Sequence, residues 1–134
     1  MAKFVDVEGS LRTWARNHPL LTPLLAGRVF FGVPAASPVL PLVTVARIGG
    51  GPQPGEAPLE DVRITFEVWA KGKEDATEVM TNLVEALFDM RNDTLPGDTH
   101  GYSAQDVNVL WQPDNTAKLA RYIVDCAVTV RSST

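Results

Sequence analysis

The chain has 134 residues, a formal net charge of −4 and a pI near 5.1, with 45% hydrophobic and 21% charged residues. That balance suits a globular chain with an unaided core, one domain over 1–134, and offers no basic footprint for gripping nucleic acid or an anionic membrane. One cysteine, Cys126, excludes an internal disulfide, and no apolar run reaches signal-peptide or membrane-span character, so a cytoplasm-like setting without a membrane is expected.

Asp6 is placed to cap a first helix on which Val7, Leu11, Trp14, Ala15 and His18 share a face. Gly9 weakens that helix and Pro19 ends it. Residues 20–25 read as one further short turn punctuated by Gly27, and 28–31 as a short strand. Pro34, Pro38 and Pro41 then forbid regular structure until the run 42–48. Val43, Val45 and the ambiguous Arg47 fall on one side of it, with Leu42, Thr44, Ala46 and Ile48 on the other.

Residues 49–58, Gly-Gly-Gly-Pro-Gln-Pro-Gly-Glu-Ala-Pro, read as a donor-poor loop longer than a hairpin turn requires. The strand 61–70 follows, with Val62, Ile64, Phe66, Val68 and Ala70 on a dry face and Arg63, Thr65, Glu67 and Trp69 on a wet one. Past Lys71-Gly72-Lys73 the period changes. Ala76, Val79, Met80, Leu83, Ala86, Leu87 and Met90 form one stripe of a helix over 74–91. Glu74 and Asp75 in its first turn and Arg91 in its last suit the helix dipole. Residues 92–103 read as a polar loop, and strands near 104–111 and 119–131 as a hairpin turning at Pro113-Asp114-Asn115. The last strand alternates Tyr122, Val124, Cys126, Val128 and Val130 with Arg121, Ile123, Asp125, Ala127, Thr129 and Arg131. The order α-β-β-β-α-β-β gives an α/β (α+β) fold: a mainly antiparallel sheet of roughly four to five strands with two helices packed on it.

Chemistry is sparse along this chain. His18 stands at a helix end beside proline and His100 in a glycine-containing loop, without the spacing or third ligand of a metal site. Cys126 lies mid-strand on an apolar face, where an unpaired cysteine acts as a small hydrophobe. Gly49-Gly50-Gly51 leads to a strand, lacks a lysine and carries donorless prolines, unlike a phosphate loop. Asp89, Asp93 and Asp98 do not follow a calcium-loop pattern. No catalytic residue, cofactor or metal is expected. Trp69 is open to two readings: packing against the first helix or across the sheet if both faces are covered, or contact with a partner, where exposed tryptophan is enriched.

The opening helix, Arg28-Val-Phe, the proline-rich approach to Leu-Pro-Leu-Val-Thr-Val, the strand Asp61-Val-Arg-Ile-Thr-Phe-Glu-Val-Trp-Ala, the helix with Ala76 and Leu83-Val-Glu-Ala-Leu, and the closing Arg121-Tyr-Ile-Val-Asp-Cys-Ala-Val-Thr-Val-Arg stand in one order. That order resembles the tail terminator (tail completion) proteins of long-tailed bacteriophages, over nearly the whole chain. The resemblance implies a non-enzymatic virion protein, assembled in the host cytoplasm as a homo-hexameric ring. Such a ring caps the tail tube, stops its polymerisation and docks the head connector or neck protein, while DNA passes through without specific binding. The acidic balance suits such a channel. The expected contact surface with another subunit or the tail tube is Arg63, Glu67 and Trp69, with Gly49, Gly50, Gly51, Pro52, Gln53 and Pro54 of the loop. Two other functions stay open: a different head–tail joining or neck adaptor, and a small hydrolase or ligand-binding enzyme using His100 and nearby aspartates.

Overall fold

The computed structural model describes residues 6–32, 38–52, 59–90, 94–95 and 99–132. Helix α1, Val7–Asn17, starts where expected: the Asp6 carboxylate accepts the Gly9 N–H at 3.0 Å, and Val7, Leu11, Trp14 and Ala15 are buried along one face. The short α2, Thr22–Leu25, stops at Ala26 (φ 47°) and Gly27 (φ 80°), so the left-handed turn begins one residue before the glycine. Strand β1, Val29–Phe30, follows at once and runs parallel to β2, Leu42–Pro52.

Strand β3, Leu59–Ala70, returns antiparallel to β2 and leads into α3, Lys73–Phe88. Then come β4, Thr94–Leu95, β5, Thr99–Trp111, and β6, Ala120–Ser132. The sheet is six-stranded in the order β1-β2-β3-β6-β5-β4, antiparallel except for β1 with β2. The short strand expected over 28–31 and the short turn expected over 20–25 are present as β1 and α2, whereas β4 falls within 92–103, a segment expected to be loop.

One face of the sheet carries the core. Val62, Ile64, Phe66, Val68 and Ala70 of β3 and Val124, Cys126, Val128 and Val130 of β6 are fully buried there, beneath Ala76, Val79, Leu83, Ala86 and Leu87 of α3. Helix α3 lies over β6, β3 and β5, and α1 lies beside it over β2 and β1. The predicted helix stripe is the buried one, although α3 ends at Phe88 and Met90 reaches the core from just beyond it. Arg91 lies outside the described residues. Arg47, on the core face, closes the far end of this layer: its guanidinium lies 3.7 Å from Glu60 and its backbone N–H donates to the Glu8 carboxylate at 3.1 Å.

Two segments expected to be loops are partly strand. Residues 49–52 continue β2, pairing Gly49 with Arg63, Gly50 with Val62, Gly51 with Asp61 and Pro52 with Glu60. A bulge at Ile48 admits them, and Gly50 adopts φ 97°, where a Cβ would run into the Asp61 carbonyl oxygen. Glycine at 50 therefore serves a twisted ribbon and a close backbone approach rather than a loose loop. Likewise 99–103 begins β5, pairing with β6 and, through Thr99 and His100, with β4. Backbone pairing with a neighbouring strand outweighed the local turn chemistry at both places. The rest of the 49–58 loop, including Gln53 and Pro54, lies outside the described residues.

Candidate functional site

The catalytic inventory is structural. His18 caps the end of α1, its Nδ1 accepts the Leu20 N–H at 3.1 Å, and its ring stands edge-on to Trp14 with centroids 5.3 Å apart. His100 belongs to β5 rather than to a loop, paired with Thr94 and Arg131. Cys126 is fully buried on the core face. Burial, then the charge of Asp125, pushes its thiol up to about 12 against the opposing charge of Arg63. Such a thiol is no nucleophile at neutral pH. Asp89 ends α3, while Asp93 and Asp98 lie outside the described residues. Among the described residues no group of His, Cys, Asp and Glu is arranged to hold a metal ion.

The face of the sheet away from the helices is where the polar chemistry collects. Antiparallel register sets Trp69 between Leu42 and Arg121, Glu67 between Thr44 and Ile123, Thr65 between Ala46 and Asp125, and Arg63 between Gly49 and Ala127. Neighbours then bond across the strands. Thr65 donates to Asp125 at 2.6 Å, Thr129 to Asp61 at 2.8 Å, Gln105 to Thr129 at 2.7 Å, and Thr44 to Glu67 at 3.4 Å. The result is a polar lattice lying flat on the strands. Cross-strand pairs of this kind stabilise a sheet face and give it a fixed shape. Their side chains are spent on one another and leave few convergent groups for a small ligand.

The predicted contact residues divide on this face. Arg63 is exposed, and Glu67 is half-buried with its carboxylate 3.7 Å from Arg121. Trp69, expected on the wet surface, is only 7% exposed. Strand alternation fixes which face a side chain takes, and here its neighbours cover it. Leu42 lies beside Trp69 in register, and the Arg121 guanidinium sits 4.8 Å from its ring centroid. Arg121 is itself anchored, donating from Nε to the Gln112 carbonyl at 2.9 Å. The indole N–H of Trp69 is buried without a hydrogen-bond partner. The glycines of the predicted patch lie at the far end of the same β2–β3 ribbon: Gly49 pairs with Arg63, but Trp69 pairs with Leu42 at the opposite end. They do not form one patch.

Sequence reasoning passed over a second feature. Val109, Leu110 and Trp111 end β5 in consecutive exposed positions, 37%, 52% and 37% exposed. Lys73 covers one side of the Trp111 ring at 4.8 Å, and Tyr122 packs against it with centroids 4.8 Å apart. The signal was present: three large apolar residues in a row break the alternation of a half-buried strand.

A family model described as Tail completion protein gp17 matches residues 9–131. Among solved structures, the chain is similar to one from the "Virion of native gene transfer agent (GTA) particle", with a TM-score of 0.65 and 16% identity, covering 96% of this chain and 100% of that one. At that identity the likeness is one of fold. No curated protein matches in sequence.

Proposed function

The chain belongs to the tail completion protein gp17 family, and we propose that it acts there as a ring at the head-proximal end of the tail tube. Membership makes it a structural component of a phage-type virion tail. The reading goes further: copies of the chain form a homo-hexamer that stops tube polymerisation and docks the head connector, with DNA passing through its lumen. The observation that carries it is the family match running from within α1 into the last strand, β6, over 9–131, so that it spans nearly the whole fold. The chemistry is consistent with a protein that works by contact. His18 and Cys126 are held in structural roles, and the polar side chains of the open face bond to one another. No catalytic step is assigned to it.

On this reading the open face meets the tail tube through exposed Arg63 and through Glu67, with the glycine-rich end of the β2–β3 ribbon, Gly49 to Pro52, alongside. Trp69 acts from beneath, as the support on which Arg121 rests. The test is electron microscopy of tails made with and without the chain. Tubes of uncontrolled length that fail to join heads are expected in its absence. Tails of normal length that join heads normally without it would overturn the proposal.

A further inference from the structure

The sheet has two lateral ends, finished in different ways. At the first, β1 supplies only Val29 and Phe30, and Arg16 Nε donates to the Val29 carbonyl at 3.0 Å. Arg12 lies 4.0 Å from the centroid of Phe31, which is 47% exposed, and Arg16 lies 5.9 Å from that of Phe30. The Arg12 Nε is buried and has no hydrogen-bond partner, and among the described residues no carboxylate pairs with either arginine. Among the described residues this end is aromatic and cationic, with no carboxylate to compensate it.

At the second end β4 pairs only with Thr99 and His100, so from Ala104 onward β5 is the last strand of the sheet. Among the described residues no strand pairs with the outer backbone edge of this stretch, and its tip carries the exposed Val109, Leu110 and Trp111. Asp106, exposed and held at φ 53° in a bulge, adds a carboxylate to the same edge. Register ties the two ends together: Phe30, Thr44, Glu67, Ile123 and Leu110 form one cross-strand row that begins at one end and finishes at the other. The aromatic patch and the apolar tip therefore stand at the same height on opposite sides of the subunit.

We propose that these two ends are the two halves of one head-to-tail contact between copies of this chain, the Arg12–Phe31 end of one copy receiving the β5 edge of the next. The inference rests on the ring reading above and names the surfaces that build the ring. A second copy is the occupant because each end offers what the other lacks. Phe31 meets Leu110 and its neighbours, and the uncompensated Arg12 and Arg16 meet the side that carries Asp106. A contact of β5 with its own copy would instead bring Asp106 toward Asp106, and like charges in apposition disfavour it. Two different patches on opposite sides generate a closed ring when the rotation between copies allows. An exposed apolar sheet edge is an association surface that monomers normally blunt.

The experiment uses tails assembled with full-length chain carrying both Phe31→Cys and Leu110→Cys, mildly oxidised and run on a denaturing gel without reductant. The expected result is a ladder of disulfide-linked multimers, absent from either single variant and from wild type, whose Cys126 is buried. Dimers from Leu110→Cys alone would overturn the proposal in favour of a symmetric contact. Monomers only, in tails that still show a ring by microscopy, would overturn it while the ring reading stands. Tails carrying no ring would sink both. As a second arm, Arg12→Asp or Asp106→Arg alone is expected to lower the yield of joined particles roughly tenfold, and the pair to restore it. A pair no better than either single change would also overturn the contact.

Discussion

Phe66 and Glu67 are consecutive on β3 and belong to two different kinds of surface. Phe66 points into a dry layer in which β3 and β6 meet α3, and it is fully buried within that apolar cluster. Glu67 points to the open face, where its carboxylate is shared between Thr44 and Arg121. The helix-covered face is held by burial, which is non-directional and tolerates any well-shaped apolar side chain. The open face is held by directional pairs whose partners come from different strands, so each depends on register. One face can be read as a pattern along the chain; the other exists only after the strands are paired.

Substitutions can break that contrast in graded steps. Phe66→Ala, in the centre of the core, is expected to destabilise by about 3–5 kcal/mol and to lower the thermal midpoint accordingly. A near-wild-type melting curve would mean the core face is not the dry one. On the open face, Trp69→Ala removes a ring buried beside Leu42 and under Arg121, and a loss of about 2–4 kcal/mol is expected in denaturant titration. Trp69→Phe sharpens the same point. It keeps an aromatic surface under Arg121 and deletes an N–H that has no partner, so it is expected to cost less than half as much. Equal losses for the two variants would show that the indole N–H is bonded in solution.

Where the two faces share the β2 backbone, Gly50→Ala puts a Cβ against the Asp61 carbonyl at φ 97°, and a cost of about 1–3 kcal/mol is expected. Gly49→Ala is the control: no atom lies near its Cβ position and the residue lacks a positive φ, so a much smaller change is expected. The smallest effect concerns one pair of the polar lattice. Thr65→Val is expected to lose about 0.5–1.5 kcal/mol, and a double-mutant cycle with Asp125→Ala should return a coupling of that size. Additive losses would mean that the 2.6 Å bond adds nothing to stability.

Much of the fold was legible because its elements carry strong one-dimensional signals. Alternation marked β3 and β6, three- and four-residue spacing marked α3, and Asp6 marked the start of α1. The misreadings cluster where glycine, proline and polar residues sit inside strands, at 49–52 and 99–103. Local chemistry there favours turns, and only the neighbouring strand, which supplies backbone hydrogen bonds, reverses the preference. The candidate contact residues fared in the same manner. Arg63 and Glu67 were placed on the correct face, and Trp69 too, but its burial depends on Leu42 and Arg121, 27 and 52 residues away in sequence.

By itself, then, the sequence determined the elements of this protein, the identity of its core stripe and the resemblance that its family match bears out. Those are properties of residue order, and a periodic apolar pattern states them before any strand is paired. Tertiary structure alone decided that Trp69 is covered and that, among the described residues, β5 has no outer partner strand from Ala104 onward. It also set Phe30 and Leu110 at the two ends of one row. Exposure and adjacency belong to the paired sheet, because they depend on which strand lies alongside and how far each one runs.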